Sequence, residues 1–365
     1  MRSVAVIGAG AGGAAAVVEL TLKGHEVRWW NRSAATIEPF RAAGGVRHEG
    51  VLGEGFVRPA AIAAGLADAL DGADAALVCL PSLAHEAVAN ALAEAGVACP
   101  VVLNPGHTGG ALHAVEVLRR RGVEPPPLVE LSTLTYVARK PAPDTVRITG
   151  VAERVHAACL PGGDEGLALA RELYPAATPA RDVIATSLSN VNLVLHTPGA
   201  ILSAAWVEAT GGDFRFYVDA MTPGVARVIE ALDRERLAVA WAYGHELPPL
   251  IEEMAAIGTA SREHARAGDV RAAIAAGEAN RAIKAPDTLE HRYYAEDFGY
   301  GLVPLIELAA AAGVAVPLAR ALVEVACALT GTDVFATGLD ASRLGISGLD
   351  RDGVLALVRA GALRA

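Results

Sequence analysis

The chain has 365 residues, of which 53% are hydrophobic and 20% charged, with a formal net charge of −10. That is enough apolar material for two cored domains, and the acidic balance excludes a nucleic-acid surface or a basic membrane patch. Small-molecule chemistry is the class that remains.

The first predicted strand, Val4-Ala5-Val6-Ile7, runs directly into Gly8-Ala9-Gly10-Ala11-Gly12-Gly13 and then into an Ala-rich helix over 14–23. A strand, a GxGxxG turn and a helix in that order form a dinucleotide-binding turn. Gly8 permits the tight exit from the strand, Gly10 lets the backbone approach a pyrophosphate, and Gly13 lets the helix pack close. The expected cofactor-binding residues here are Gly8, Gly10, Ala11, Gly12 and Gly13. The helix N-terminus favours the anion without a basic side chain.

A second strand over 25–31 ends in Asn31-Arg32-Ser33, about 20 residues past the glycines, where an adenine ribose lies in such folds. An acid there would bind the ribose hydroxyls and repel a 2′-phosphate. Arg32 with Asn31 and Ser33 accepts one instead, so NADP is favoured and NAD remains open.

Alternation then continues: helix 34–43, short strands within 46–60, helix 66–70, strand 75–80, helix 84–95, strand 100–103, helix 109–121 and strand 128–134. The pattern predicts a doubly wound, mostly parallel sheet over 1–183, a Rossmann domain of α/β class. Ligands bind at the carboxyl ends of such strands, which brings Pro81 and the Asn104-Pro105-Gly106 turn to the nicotinamide half.

From 184 to 365 nearly every segment has helical periodicity, so the second domain is expected to be all helical. On one continuous helix Ser189, Asn192 and His196 share a face. Four cysteines, at 79, 99, 159 and 327, are too scattered for a disulfide framework or a metal site. No signal peptide or membrane span is evident, and a cytoplasmic enzyme is expected.

A set of motifs resembles the opine dehydrogenase family, which includes the octopine and nopaline dehydrogenases and the bacterial carboxyethyl-norvaline dehydrogenase. They are the Gly8 to Gly13 loop, Glu130-Leu-Ser-Thr-Leu-Thr-Tyr136-Val-Ala-Arg139, Asn192-Leu-Val-Leu-His196-Thr-Pro198, Asp233-Arg-Glu235-Arg236, and His291-Arg292 with Asp297 and Tyr300-Gly-Leu-Val-Pro304. The resemblance implies reductive condensation of an amino acid amine with a 2-oxo acid. It implies His196 and Asp297 as the catalytic pair and Arg292 as the binder of a substrate carboxylate. Asn192 and Tyr136 are expected to line the substrate site. His107 and His291 are expected to be surface or loop residues, and a homodimer is expected.

The residue chemistry agrees independently, because hydride delivery to C=N requires a proton carrier of near-neutral pKa, which histidine provides. Two alternatives stand beside this reading. One is a ketone or hydroxy-acid reductase of the ketopantoate or glycerol-phosphate dehydrogenase type, families that usually use a lysine. The other is a dinucleotide-sensing protein without catalysis.

Overall fold

The computed structural model describes residues 1–160, 164–278 and 280–360. Residues 161–163 of the expected first region and 361–365 of the second lie outside these. The chain forms two compact units. The first contains Met1–Gly106 with Gly110–Val183, and the second contains His107–Gly109 with Ile184–Ala365.

Among the described residues twelve strands build the first unit: β1 Ser3–Ile7, β2 Glu26–Trp30, β3 Val46–Gly50, β4 Gly55–Val57, β5 Ala61–Ile62, β6 Ala75–Val78, β7 Val101–Leu103, β8 Leu128–Leu131, β9 Tyr136–Ala142, β10 Thr145–Val151, β11 Val155–Leu160 and β12 Ala177–Pro179. Eight form the main sheet in the order β12-β11-β8-β7-β6-β1-β2-β5. Its strands are parallel except where β11 runs against β8. Every residue of β6, β7 and β8 is buried. Continuous rather than alternating burial is what a sheet covered on both faces demands.

The strand order reverses at β1, which has β2 on one side and β6 on the other. The carboxyl ends of β1 and β6 therefore flank the switch point, where such sheets bind ligands. Helix Ala11–Leu22 lies close against the sheet because its buried face is built from Ala14, Ala15, Ala16, Val17 and Val18.

The remaining four strands form a second sheet in the order β4-β3-β10-β9. Short strands in 46–60 were expected, but not their pairing with a hairpin ninety residues later. Tyr136 consequently opens β9 of this small sheet, while the expected strand 128–134 ends at Leu131.

The second unit is helical, with one isolated bridge between Arg215 and Lys284 among its described residues. Leu193, Ile229, Leu232, Leu305, Leu308 and Val323 are fully buried and form part of its core. Helix Pro223–Ala242 begins with Thr222 accepting the Val225 N–H at 3.3 Å and with proline in its first turn. A buried ion pair fixes this helix to its neighbours. Arg236 donates to Asp233 at 2.7 Å, to the Leu188 carbonyl at 2.7 Å and to the Pro248 carbonyl at 2.9 Å. Asp233 also accepts the Leu250 N–H at 2.8 Å. Each guanidinium nitrogen and each carboxylate oxygen of the pair thus has a partner, as buried charges require.

Candidate active site

In the first unit the glycine turn is bolted to the end of β2. The Gly8 N–H donates to the Trp30 carbonyl at 2.9 Å, and the Trp29 indole donates to the Gly8 carbonyl at 2.8 Å. A side chain is sterically excluded at two of the glycines. A Cβ on Gly8, whose φ is +119°, would sit 2.5 Å from the Cys79 carbonyl oxygen, and one on Gly13 would sit 2.0 Å from the Gly8 carbonyl oxygen. Gly10 differs: nothing lies within 4 Å of a Cβ built there. It is exposed and precedes helix Ala11–Leu22, which carries no acid in its first turn and no capping side chain. Open space at Gly10 beside uncapped helix N–H groups fits a dinucleotide pyrophosphate.

Asn31 has a different task from the one expected. Its Oδ1 accepts the Ala9 N–H at 3.0 Å and its Nδ2 donates to the Ser33 carbonyl at 2.9 Å, so both ends of the amide are spent holding the turn. It shapes the cradle at the end of β2. Arg32 and Ser33 are exposed, and Ser33 precedes helix Ala34–Ala43. Thr36, which sequence reasoning missed, donates to the Ser33 hydroxyl at 3.0 Å. Its position three residues past a Ser N-cap was the available signal. Pro81 is exposed just beyond β6, ahead of the short turn Ser82–Ala84.

Tyr136 requires a correction. It is buried in the Rossmann core, where its hydroxyl donates to Glu19 at 2.6 Å and lies 3.2 Å from the Tyr174 hydroxyl. Lys23 neutralises the same carboxylate at 2.8 Å. These contacts make Tyr136 a packing residue, not part of a substrate-binding surface.

In the second unit the expected continuous helix is broken at Ser189 to Val191. Ser189 donates back to the Ala185 carbonyl at 2.8 Å, and Asn190 accepts the Asn192 N–H at 3.1 Å, so short polar side chains take over backbone partners and interrupt the helix. Ser189 therefore leaves the shared face. Asn192 begins helix Asn192–Leu202 and is half-buried, and His196 lies one turn on, buried.

Asp297 ends helix Arg292–Asp297, immediately before the wide turn Phe298–Leu302. Gly301 lets that turn approach helix Asn192–Leu202, since a Cβ on it would lie 2.8 Å from the Leu193 Cβ. The result is a direct bond between His196 Nδ1 and Asp297 Oδ2 at 2.7 Å, with both side chains about 5% exposed. A carboxylate accepting from Nδ1–H selects the tautomer in which Nε2 is the free acceptor of the ring.

Sequence reasoning missed what surrounds that atom. His196 Nε2 lies 2.7 Å from the Tyr217 hydroxyl, which is 2.8 Å from the Tyr293 hydroxyl. The Tyr293 ring stacks on the imidazole with centroids 4.0 Å apart. Burial, followed by the neighbouring Tyr293, holds the Tyr217 phenol well above its ordinary pKa. Tyr293 and Asp297 stand four apart on one helix, a spacing that sequence alone could have used. Tyr217 sits in the loop before helix Pro223–Ala242, where no periodicity points to it.

Arg292 does not pair with Asp297. Its guanidinium is 3.8 Å from Glu296, and the side chain is 54% exposed. The other Glu296 oxygen lies 3.2 Å from His107 Nε2. His107, expected as a surface or loop residue, lies in a turn but is buried, with φ at +60°. His291 is half-buried and caps helix Arg292–Asp297, its Nδ1 accepting the Tyr293 N–H at 3.3 Å.

A glycine-turn cradle on a parallel sheet and a buried histidine and carboxylate on a helical unit define an NAD(P)-dependent oxidoreductase. Known proteins narrow this. The family model described as NAD/NADP octopine/nopaline dehydrogenase, alpha-helical domain, matches residues 179–330, and that of ketopantoate reductase PanE/ApbA matches 4–155. An opine dehydrogenase from Arthrobacter sp. (strain 1C) is 32% identical over 360 residues, covering 98% of this chain and 99% of the relative. Octopine dehydrogenase solved with NADH and L-arginine is 21% identical at a TM-score of 0.78, covering 100% of this chain and 99% of that one. Yersinopine dehydrogenase bound to NADP+ is 17% identical at a TM-score of 0.75, covering 99% and 98%. The chain belongs to the opine dehydrogenase family. Its activity is the reductive condensation of an amino acid amine with a 2-oxo acid. No helix among the described residues is long and apolar enough to cross a membrane.

Proposed function

We propose that His196 supplies the proton of this reaction, that Asp297 orients and charges it, and that Arg292 holds a substrate carboxylate. The observation that carries the reading is the 2.7 Å bond between His196 Nδ1 and Asp297 Oδ2. Joining an ammonium group to a 2-oxo acid, losing water and reducing the C=N bond consumes one proton per turnover. An imidazolium stabilised by a buried carboxylate is suited to deliver it. The half-exposed guanidinium of Arg292 offers a planar fork for a carboxylate, and both substrates carry one. Asn192, half-buried one helical turn before His196, is proposed to line the same site.

The dinucleotide would be held by the Gly8 to Gly13 turn and the N-terminus of helix Ala11–Leu22, with Pro81 beside its nicotinamide half. When bound, the reduced nicotinamide supplies the hydride. We favour NADP, supported by the exposed Arg32 with Ser33 and Thr36 at the start of helix Ala34–Ala43, a cation and hydroxyls at a helix N-terminus. A homodimer is proposed, for which the 71% exposed Trp241 offers apolar surface. Four free cysteines support a reducing, cytoplasmic setting.

The ketone-reductase alternative has less support. Its usual lysine has no counterpart at His196: Lys23 is engaged by Glu19, Lys140 lies over Phe40, and Lys284 pairs with Asp213. A sensing protein without catalysis leaves the buried histidine and aspartate unexplained. The test is cofactor oxidation with a 2-oxo acid alone, an amino acid alone, and both. Pyruvate is the first 2-oxo acid to use, because octopine dehydrogenase has been solved with it. Turnover that requires both substrates supports the assignment, and equal turnover with the 2-oxo acid alone overturns it.

A further inference from the structure

We propose that Tyr217 and Tyr293 form a hydroxyl relay through which the proton of His196 Nε2 is exchanged, with Tyr217 as its positioning residue. The inference rests on the proposed role of His196. Both nitrogens of that ring are occupied, Nδ1 by Asp297 and Nε2 by Tyr217, each at 2.7 Å, and the ring is buried. A proton leaving Nε2 therefore meets the Tyr217 oxygen first.

The hydrogen-bond inventory makes the chain reversible. With neutral imidazole, Nδ1–H donates to Asp297, the Tyr217 hydroxyl donates to Nε2, and the Tyr293 hydroxyl donates to Tyr217. With imidazolium, Nε2–H donates to Tyr217, Tyr217 donates to Tyr293, and the Tyr293 proton is offered onward. Passing from the second state to the first moves one proton outward, to the substrate whose carboxylate Arg292 is proposed to hold and whose oxygen leaves as water. Each hydroxyl takes one proton and gives one, so both tyrosines end unchanged.

Burial keeps the Tyr217 phenol well above its ordinary pKa, so the relay works through neutral hydroxyls and not through a tyrosinate. The outer member of the chain lies beside the proposed carboxylate anchor, with the Arg292 guanidinium 5.7 Å from the Tyr293 ring. The other titratable groups around the chain are Asp297 and Glu296 on helix Arg292–Asp297, His291 before it, and His107 on Glu296. Asp287 acts on His291.

The experiment uses the full-length enzyme loaded with cofactor, under single-turnover conditions. Tyr217→Phe keeps the ring and its edge contact with Phe216, whose centroid is 5.1 Å away. Expected are a 10- to 100-fold fall in the rate of the chemical step with KM within about threefold, the scale of a partial loss of acid–base catalysis. The alkaline limb of the pH profile, where the imidazolium is lost, should move to lower pH, because the imidazolium loses a charged hydrogen bond while neutral imidazole loses only a neutral one. The wild-type proton inventory in mixed H2O and D2O should be curved, reporting more than one proton in flight, and that of Tyr217→Phe linear. Tyr293→Phe should also give a linear inventory, which keeps the test decisive if Tyr217→Phe folds poorly. A linear wild-type inventory, or variants with the wild-type rate and pH profile, would overturn the relay. His196→Gln separates the two claims: wild-type turnover there overturns the underlying role, whereas an inactive His196→Gln beside an unaltered Tyr217→Phe overturns the relay alone.

Discussion

Replacing Asp297 by Asn changes one oxygen for an amide nitrogen at nearly constant volume, so its effect isolates the carboxylate charge. The bond to His196 Nδ1 is 2.7 Å long and its partners are about 5% exposed, which limits solvent screening. A charged hydrogen bond contributes about 1.5–3 kcal/mol and a neutral one about 0.5–1.5. The loss of charge alone then removes roughly 1–2 kcal/mol of imidazolium stabilisation. A ceiling comes from Coulomb attraction between unit charges about 4 Å apart, about 4 kcal/mol at an effective dielectric near 20. Converted at about 1.4 kcal/mol per decade, these bounds predict a fall in kcat of about 5- to 1,000-fold. The upper part of the range is expected, because an amide can also donate to Nδ1 and select the tautomer with its proton on Nε2. The assay is cofactor oxidation at saturating amino acid and 2-oxo acid, with cofactor affinity followed by nicotinamide fluorescence and folding by thermal melting. Cofactor affinity should be unchanged, since the glycine cradle belongs to the other compact unit. A kcat within about twofold of wild type, in a folded variant, would refute the role given to this pair.

The other predictions bear on separate parts of the chain. Arg32→Asp should raise the NADPH dissociation constant at least about tenfold more than that of NADH, given about 1.5–3 kcal/mol for a charged hydrogen bond; an unchanged ratio in a titration of both cofactors would remove Arg32 from the site. Gly13→Ala should lower the melting temperature by the equivalent of about 1–3 kcal/mol of overpacking, because its Cβ would fall 2.0 Å from the Gly8 carbonyl oxygen. Gly10→Ala, with nothing within 4 Å, should fold normally and lose cofactor affinity; equal melting temperatures for the two variants would contradict the packing argument. Tyr136→Phe should cost about 1–3 kcal/mol in denaturant unfolding by stripping a hydrogen bond from the buried Glu19, and leave KM for both substrates unchanged. His291, whose pKa is lowered by burial and then by Arg292, binds fewer protons folded than unfolded. Stability should therefore fall as pH drops below its ordinary value of 6.5, where protonation also removes the Nδ1 cap on Tyr293. Melting curves of His291→Asn should show a smaller loss between about pH 7 and 5, and an identical loss would disprove the assignment.

How far the sequence reveals this site depends on whether a function is written in consecutive residues or assembled from distant ones. The glycine turn is local: the conformation of Gly8 and the closeness of Gly13 to the Gly8 carbonyl follow from a strand and a helix that adjoin in the chain, so six residues suffice to read them. Asn31 shows where such reading is incomplete. Position in sequence put it at the ribose end, but an amide can turn inward, and here it satisfies the Ala9 N–H that the tight turn leaves exposed. Tyr136 was misjudged for a related reason. The hairpin formed by β9 and β10 pairs with β3, about a hundred residues earlier, and no local pattern announces that partner. In the helical unit, family resemblance pointed to His196 and Asp297, which bond directly although 101 positions separate them. Tyr217 escaped because it lies in irregular chain, where neither a period of 3.6 nor a motif marks which side chain turns inward. Its place is set only when helix Arg292–Asp297 packs on helix Asn192–Leu202 and brings Tyr293 over the imidazole. The groups that bond to a buried histidine from outside its own helix are therefore the least legible part of such a site, although they determine where its proton can go.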